Sequence, residues 1–428
     1  MSDSRKHVVI VGGGFGGLWA TRALASAEVR ITLIDRRNHH LFQPLLYQVA
    51  TAGLSAPDIA APLRHILRKQ KNVEVRLGEV TGIAADARQV RLADGDVIDY
   101  DYLLLASGAT HAYFGHDEWA DDAPGLKTLD DALHIRRRVL LAFERAEAAE
   151  TEEERSAWLH FAVVGGGPTG VELAGTLAEI SRKTLRREFR RIDPAQARVR
   201  LIEAGPRVLA NFPESLSEKA RAQLQRLGVE VATGTPVAAI DARGYQLGAE
   251  FVPARTVLWA AGVAASPLGA LLDAPRDRAG RVLVEPDLSV PGHPEIFVAG
   301  DLASVKQANG QPVPGVAPGA KQMGAYVASA IRARLGRRAV EPFRYVDFGN
   351  LATIGRRAAV VDLRGFKFSG FIAWVFWLAA HVFFLIGFRN RLIVMLNWSW
   401  AYFTYQRHAR IIFGTGEPAR TDAPVPPP

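Results

Sequence analysis

Two hydrophobic periods alternate along this chain, and the first clear unit lies close to its start. Residues 8–11 are four consecutive β-branched residues, which predict a buried strand. A helix of small residues is predicted over residues 15–27, and a second apolar strand over residues 29–34 ends in Asp35. Strand, helix and strand in this order predict a βαβ unit with parallel strands.

The same order of elements recurs in the middle of the chain. An apolar strand begins at Leu159, a helix follows it, and a further strand over residues 199–202 ends in Glu203. An arginine-rich insertion, residues 181–197, lengthens the second interval, either as a solvated helix or as a contact for acidic lipid headgroups. We therefore predict an internal repeat of one supersecondary unit.

The remaining segments complete an alternation of strands and helices. Residues 36–54 are too irregular for one amphipathic helix and too apolar for a surface loop. Strands over residues 99–108 and 294–301 are both expected to return to the first sheet. We also predict a short helix at 56–67, a β-meander at 73–92, helices at 129–149 and 320–335, and a second strand region at 343–363.

The C-terminal region has a different composition. Residues 370–388 hold no charged side chain, and as one helix they would span about 28 Å, close to the hydrocarbon thickness of a bilayer. Residues 392–405 are rich in aromatic side chains and have arginines on both sides, which suits a membrane interface. The alternatives are a helix pair buried in a dimer and, for residues 370–388, a span across the bilayer.

Composition limits the chemistry. The 428 residues suggest two or three domains, the net charge is +8, and there is no cysteine. Disulfides, thiolate metal sites and cysteine nucleophiles are therefore excluded. The N-terminal apolar run is too short for a signal peptide and leads into a glycine-rich turn, so we expect the main body to fold in the cytoplasm.

Glycines with G-x-G-x-x-G spacing follow the first strand of each unit. They fall on Gly12, Gly14 and Gly17, and again on Gly165, Gly167 and Gly170. The first glycine of such a pattern permits the tight turn, the second lets a pyrophosphate approach the backbone, and the third lets helix and strand pack closely. Free N–H groups at the helix start then attract the phosphate charge. Both units are predicted to bind dinucleotides.

The acids that end the second strands indicate which nucleotide each unit holds. Asp35 and Glu203 can each accept hydrogen bonds from both ribose hydroxyls. The first unit is predicted to bind FAD, because its fold is interrupted and completed late by the strand that ends at Asp301. The second is predicted to bind NADH rather than NADPH, since Glu203 repels a 2′-phosphate, although Arg207 lies nearby. No metal is required, because a flavin carries the hydride chemistry.

These features together resemble one family, the bacterial type II NADH dehydrogenases, which are single-subunit NADH:quinone oxidoreductases. The matching segments lie within residues 8–412 and read VVIVGGGFGGL, FQPLLYQVATAGLS, VVGGGPTGVELAG, LWAAGV, IFVAGDLA and HVFFLIGFRNRLIVMLNWSWAYFTY. The glycine turns occur in many flavoproteins, whereas the second and last segments are much more specific. The resemblance implies an α/β fold with two Rossmann-like dinucleotide-binding domains, arranged as in glutathione reductase, and C-terminal membrane-associating helices.

The resemblance also implies a reaction. NADH would reduce FAD, and the reduced flavin would pass two electrons to a membrane quinone without proton pumping. The family's quinone motif, A-Q-x-A-x-Q-x-G, falls on residues 317–324, where Pro318 replaces the first glutamine and Gln322 keeps the second. Lys367 resembles a family lysine near the quinone tunnel, and its alternative is a lysine that reaches the membrane interface.

Site residues and domains are predicted on these grounds. Glu172 just follows the second glycine turn, on the predicted first turn of its helix, where it interacts with the helix dipole or lies at the nicotinamide–flavin contact. Glu172, Gln322 and Lys367 are predicted to act in catalysis. The predicted cofactor-binding residues are Gly12, Gly14, Phe15, Gly16, Gly17, Asp35, Arg36, Gln48, Ser107, Gly108, Gly165, Gly167, Pro168, Thr169, Gly170, Glu203, Gly262, Gly300, Asp301, Lys321 and Gln322. The predicted domains are FAD-binding (1–115 and 285–335), NADH-binding (116–284), membrane-anchoring (336–415) and a disordered tail (416–428).

The predicted partners are a quinone and a lipid surface on the cytoplasmic face of the inner membrane, with no nucleic acid. A homodimer is also predicted, since the apolar tail offers a second surface to bury. Disulfide reductases and sulfide:quinone oxidoreductases need a cysteine beside the flavin, which this chain lacks. The alternative function is a soluble NADH-dependent reductase of an iron–sulfur carrier that docks on residues 182–191. A redox-sensing or scaffolding flavoprotein is a third, against which two intact nucleotide sites argue.

Overall fold

The computed structural model describes residues 5–307, 310–386, 388–407 and 409–412. The tail predicted as disordered, residues 416–428, lies outside this range. The strands are β1 (Lys6–Val11), β2 (Val29–Asp35), β3 (His39–Leu41), β4 (Ala60–Pro62), β5 (Val73–Leu77), β6 (Val80–Ala84), β7 (Gln89–Leu92), β8 (Val97–Asp99), β9 (Tyr102–Leu105), β10 (Ala109–His111), β11 (His160–Val164), β12 (Arg198–Glu203), β13 (Val229–Thr233), β14 (Val237–Asp241), β15 (Gly244–Leu247), β16 (Glu250–Pro253), β17 (Thr256–Trp259), β18 (Val263–Ala265), β19 (Val282–Leu283), β20 (Ser289–Val290), β21 (His293–Val298), β22 (Ala303–Ser304), β23 (Asn350–Gly355), β24 (Ala358–Leu363) and β25 (Phe366–Ser369).

The helices connect and cover these strands. They are α1 (Phe15–Ala23), α2 (Leu46–Ala50), α3 (Ala56–Ile59), α4 (Leu63–Leu67), α5 (Leu129–Ala148), α6 (Glu152–Trp158), α7 (Pro168–Glu179), α8 (Glu214–Arg226), α9 (Ala317–Leu335), α10 (Phe371–Phe384) and α11 (Phe388–Thr404). The arginine-rich insertion is not a regular helix. A π-helical turn, Ile180–Thr184, follows α7 and leads into irregular backbone.

Two parallel sheets form the centre of the molecule. The first has six strands in the order β20-β21-β9-β1-β2-β5, and all neighbours except the edge strand β20 run parallel. The second has the order β13-β12-β11-β17 and is parallel throughout. β1-α1-β2 and β11-α7-β12 are equivalent units, which confirms the predicted repeat. β21 pairs with β9, with Ile296 opposite Leu103, so the late return to the first sheet is also confirmed.

Helix packing on both units depends on glycine. α9 crosses α1 so closely that a Cβ atom on Gly324 would overlap the carbonyl group of Gly16. α7 meets β23 at Gly175, where a Cβ atom would overlap the carbonyl oxygen of Ile354. The first contact attaches the late helix to the first glycine turn. The second attaches the C-terminal sheet, β23-β24-β25, to the second unit.

Several predicted elements have different boundaries in the structure. The helix predicted at 56–67 is divided into α3, β4 and α4, because Pro62 disfavours helix in the residue before it and donates no hydrogen bond. β5 joins the six-stranded sheet, so the meander is β6-β7-β8 rather than residues 73–92. α1 ends at Ala23 instead of residue 27, and α9 begins three residues early, at Ala317.

The apolar tail forms two helices rather than one long one. α10 has 14 residues, and Leu385 after it is extended. Every fourth residue of α10, namely Ala373, Trp377 and His381, is buried against the protein. Within the residues that the structure describes, no helix combines the length and the apolarity needed to cross a membrane. The single helix of about 28 Å that the sequence allows for residues 370–388 is therefore not formed.

Contacts with α10, α11 and the residues just after α11 explain the unusual composition of residues 36–54. The indole Nε1 of Trp398 donates to the side-chain oxygen of Gln48 at 2.7 Å, and Arg407 donates to the carbonyl oxygen of Thr51 at 3.0 Å. The ring of Phe42 meets His381 of α10 edge-on, with 6.3 Å between centroids. The segment is apolar because the C-terminal helices cover it, and irregular because it packs on several elements at once.

Candidate active site

The first glycine turn has the geometry that its spacing predicts. Gly12 has φ = +107°, a backbone conformation that residues with a Cβ atom rarely adopt, and its N–H donates to the carbonyl oxygen of Ile34 at 2.8 Å. A Cβ atom on Gly17 would overlap the carbonyl oxygen of Gly12. No atom lies within 4 Å of the position that a Cβ atom on Gly14 would take. The turn is therefore closed on its protein side and open where a phosphate would approach.

The second turn repeats this geometry residue by residue. Gly165 has φ = +109° and donates to the carbonyl oxygen of Ile202 at 2.7 Å. A Cβ atom on Gly170 would overlap the carbonyl oxygen of Gly165, and the Cβ position of Gly167 is open to 4 Å. Pro168 and Thr169 begin α7 and are exposed. The repeat therefore holds at the level of individual backbone contacts.

Both strand-end carboxylates are fixed by backbone N–H groups. Asp35 accepts from Gly13 at 2.6 Å and from Arg37 at 2.7 Å. Glu203 accepts from Gly166 at 2.6 Å and from Gly205 at 2.7 Å. Each acid thus stands beside the glycine turn of its own unit, where a ribose would lie. The donors Gly13 and Gly166 were not predicted, although each is the middle residue of a run of three glycines.

A cavity of about 620 Å³ opens at the first turn. Its walls include the predicted residues Gly12, Gly14, Phe15, Gly16, Asp35, Arg36, Ser107, Gly108, Gly300 and Asp301. The hydroxyl of Ser107 is buried there without a hydrogen-bond partner. The cavity is also lined by Ala317 and Ala320 of α9, so residues distant in sequence meet at one site.

Lys127 and Thr128 belong to this cavity but were not predicted. The ammonium of Lys127 lies 3.8 Å from the carboxylate of Asp301, and both residues line the cavity. Thr128 caps α5, and its hydroxyl accepts from the N–H of Asp131 at 3.1 Å. The Thr-x-x-Asp pattern is a capping signal visible in sequence, whereas nothing in the sequence marks Lys127.

Comparison with known proteins decides the family. Residues 6–324 match the family model of pyridine nucleotide-disulphide oxidoreductases, and residues 348–407 match that of the NDH2 C-terminal domain. The chain is 47% identical to the type II NADH:quinone oxidoreductase Ndh of Mycobacterium tuberculosis, over 94% of this chain and 89% of that protein. The chain belongs to the type II NADH:quinone oxidoreductases. The family predicted from the sequence is confirmed.

More distant similarities have the same extent. The demethylphylloquinone reductase NdbB of a Synechocystis species is 32% identical, over 93% of this chain and 96% of that protein. The structure of NDH2 from Plasmodium falciparum in complex with NADH superposes with a TM-score of 0.87 at 21% identity, covering 96% of this chain and all of that one. The predicted fold class, two Rossmann-like units with C-terminal helices, is confirmed.

The segment that corresponds to the family's quinone motif, residues 317–324, forms the start of α9. Pro318 lies in the first turn of α9. The side-chain amide of Gln322 donates to the carbonyl oxygen of Val346 and accepts from its N–H, both at 2.9 Å. That side chain therefore ties the chain after α9 to the helix. Its predicted role towards quinone stays a prediction.

Lys321 occupies the place between these two motif positions. Its ammonium lies 5.0 Å from the ring centroid of Phe15 and 4.5 Å from those of Trp19 and Phe384. Burial lowers the pKa of Lys321 to about 8. The cation thus joins the first glycine turn, α9 and the apolar helix α10. Cation–π contacts of this kind contribute about 0.5–2 kcal/mol each.

Glu172 lies in the second turn of α7, not in the first turn as predicted. The effect of a helix dipole falls off beyond the first turn, which weakens that interpretation. Burial raises the pKa of Glu172 well above its ordinary value, and a backbone hydrogen bond at Thr353 opposes the shift. The same carboxylate helps to raise the pKa of the buried Tyr47. The carboxyl of Glu172 therefore lies close enough to Tyr47 for the two groups to interact electrostatically.

The other predicted residues are scattered. Lys367 is exposed on the edge strand β25. Gln48 faces α11, and its side-chain N–H donates to the hydroxyl of Tyr47 at 2.9 Å. A Cβ atom on Gly262 would overlap the ring of Phe114. The roles predicted for these three residues stay predictions.

Proposed function

We propose that this type II NADH:quinone oxidoreductase binds FAD in the cavity of the first unit and NADH at the second glycine turn. The observation that carries the proposal is the duplicated turn, in which each strand-end acid is fixed by two backbone N–H groups. The late strand β21 joins the sheet of the first unit, and α9 lines the cavity of the first site. Such an extended site suits the larger and permanently bound nucleotide.

The first site fits FAD in shape and in donor chemistry. The open backbone at Gly14 admits a pyrophosphate, and Asp35 is oriented to accept from ribose hydroxyls. The unpaired hydroxyl of Ser107 and the Lys127–Asp301 pair supply further polar groups in the lining of the cavity. Bound FAD supplies the two-electron chemistry that the side chains lack. The chain's own residues bind, orient and exclude water.

The second site is built to prefer NADH. The guanidinium of Arg207 donates to the carbonyl oxygens of Phe212 at 2.7 Å and Ala210 at 2.8 Å, so it is occupied by backbone. Glu203 is therefore the charge that a nucleotide 2′ position meets first. A 2′-phosphate would be repelled, whereas ribose hydroxyls would donate to the carboxylate.

Glu203→Gln will weaken NADH binding and reduce the discrimination against NADPH. Charge-assisted hydrogen bonds contribute about 1.5–3 kcal/mol, so the KM for NADH should rise roughly tenfold or more. Steady-state kinetics with both donors measure this. The control is Asp35→Asn, the equivalent change in the first unit, which should lower the FAD content and leave the KM for NADH unchanged. An unchanged donor preference in Glu203→Gln would contradict the assignment.

The exposed face of the C-terminal helices supports docking on a lipid surface, as a peripheral rather than a spanning attachment. Ile372 is 73% exposed and Phe403 79% exposed, and further apolar side chains lie between them. Quinones are apolar, so a lipid surface is where such an acceptor is available. The homodimer and the cytoplasmic face of the membrane stay predictions.

Ile372→Asp combined with Phe403→Asp will release the protein from vesicles. Burying one large apolar side chain contributes about 1.5–3 kcal/mol, so partitioning onto phosphatidylcholine vesicles should fall more than tenfold. Flotation of the FAD-loaded protein measures it. Val97→Asp, at a half-exposed position on β8, is the matched control and should float like wild type. Unchanged flotation of the double variant would contradict docking through this face.

The test of the function compares electron acceptors. The FAD-loaded protein should oxidise NADH rapidly with a short-chain quinone and slowly with a small iron–sulfur carrier. Faster reduction of the carrier than of any quinone would favour the carrier-reductase alternative. In that case, the exposed face of α10 and α11 would need another explanation.

A further inference from the structure

The turn between β23 and β24 places two arginines at the end of the α10–α11 pair. The guanidinium carbon of Arg356 lies 4.1 Å from the ring centroids of both Tyr402 and Tyr405. That of Arg357 lies 5.1 Å from the centroid of Phe371. Phe371 begins α10, and Tyr402 lies in the last turn of α11. Both cations are therefore held where the start of one apolar helix meets the end of the other.

Arg356 has hydrogen-bond donors without acceptors, and neither arginine is paired with a carboxylate of the described residues. The Nε and Nη1 atoms of Arg356 are buried and have no hydrogen-bond partner. Across residues 5–307, 310–386, 388–407 and 409–412, no carboxylate oxygen lies within 4.0 Å of a guanidinium nitrogen of Arg356 or Arg357. A buried donor left unpaired costs about 1–3 kcal/mol. An acceptor from outside the chain would remove that cost.

The backbone of the turn is also held in a strained form. Arg357 has φ = +62°, in the left-handed region that favours glycine. The N–H of Arg356 donates to the carboxylate of Glu179, whose other oxygen pairs with Arg407 at 3.2 Å. Arg357 thus occupies a position where glycine would be less strained. The ion pair of Glu179 and Arg407 fixes the turn through the N–H of Arg356. Strain of this kind is found at ligand-binding sites.

We propose that Arg356 and Arg357 form a binding site for the phosphate group of an anionic phospholipid. The proposal rests on the proposed lipid docking of α10 and α11. The planar guanidinium fork matches a phosphate, and stacking on aromatic rings fixes its plane. The positive end of the α10 dipole points to the same place. Tyrosines occupy headgroup depth in membrane proteins, while the exposed Ile372 and Phe403 nearby would enter the acyl region.

The experiment is vesicle flotation with two lipid compositions. FAD-loaded protein is mixed with vesicles of phosphatidylcholine alone, or of phosphatidylcholine and phosphatidylglycerol in equal parts. For the variant with Arg356→Gln and Arg357→Gln, partitioning onto the mixed vesicles should fall roughly fivefold for each arginine. Partitioning onto phosphatidylcholine should stay within about twofold, since the apolar face is unchanged. Arg357→Gln alone, at an exposed position, should show the single fivefold loss without disturbing the buried donors.

Arg88→Gln is the matched control. Arg88 is an exposed arginine with φ = +53° in the turn after β6, far in sequence from the C-terminal helices. If Arg88→Gln lowers partitioning onto the mixed vesicles as much as Arg357→Gln does, the loss is a general effect of net charge and the proposed site is wrong. If partitioning of the double variant falls equally on both vesicle types, the arginines only order α10 and α11 and do not bind a headgroup.

Two further results separate the proposals. If the double variant binds mixed vesicles like wild type, the headgroup site is wrong although lipid docking stands. If wild type binds neither vesicle, the proposed docking itself is wrong. A soluble anion is tested with inorganic phosphate against chloride of equal ionic strength. If phosphate raises the Tm of wild type but not that of the double variant, and lipid binding does not depend on the arginines, the site binds a free anion.

Discussion

Gly17→Ala will yield protein without FAD. A Cβ atom there would overlap the carbonyl oxygen of Gly12, and both groups belong to backbone that is fixed by β1 and α1. Overpacking of a well-filled site costs about 1–3 kcal/mol, and a backbone clash cannot be relieved by a change of rotamer. The first turn should therefore open and lose the alignment of its N–H groups. The flavin absorbance of the purified protein and its Tm measure both effects.

Gly14→Ala separates nucleotide binding from folding. Gly14 has φ = −72° and ψ = −159°, which alanine adopts freely, and no protein atom lies within 4 Å of the added methyl group. The Tm of the FAD-free protein should be nearly unchanged. FAD affinity should fall at least tenfold, because the methyl group occupies the space where the pyrophosphate approaches. Full FAD content in Gly14→Ala would contradict the assignment of the FAD pyrophosphate to this turn.

The nucleotide-binding units could be predicted from the sequence because the backbone conformation of each turn itself requires glycine. Gly12 is required by its positive φ and Gly17 by its contact with the carbonyl oxygen of Gly12, so both requirements arise within one turn and their spacing identifies the geometry. The late strand β21 was also readable, since an apolar run that ends in Gly300-Asp301 suits a parallel sheet. Segments whose backbone conformation and burial are set by their own residues show a recognisable hydrophobic periodicity in the sequence.

Contacts between distant segments left no such signal. Gln322 keeps the second glutamine of the motif, yet its side-chain amide is hydrogen-bonded to the backbone of Val346. Lys127 reaches Asp301 across 174 residues of sequence, and only the fold brings them together. The apolar run at residues 370–388 has the length of a membrane span, but α10 is set by its packing on β24 and stops at Phe384. Tertiary packing decided these features.

Glu172→Gln will stabilise the protein, and more so at high pH. Burial raises the pKa of the Glu172 carboxyl well above 4.5 in the folded protein. Between the ordinary value and the raised one, the folded state keeps a proton that the unfolded state has released. Stability therefore falls as pH rises through that window. Glutamine is neutral at every pH, so the variant avoids the loss and should gain about 1–3 kcal/mol at pH above the window.

The same change seven residues later should act with the opposite sign. Glu179, also on α7, pairs with Arg407 at 3.2 Å and accepts from the N–H of Arg356. Glu179→Gln removes a charge that is compensated, leaves a largely buried Arg407 unpaired, and should destabilise by about 3 kcal/mol. Thermal unfolding of both variants at pH 5 and pH 8 measures the contrast. If the excess stability of Glu172→Gln does not grow with pH, the carboxyl of Glu172 is ionised in the folded protein. Its surroundings near Tyr47 would then favour the carboxylate form over the protonated form.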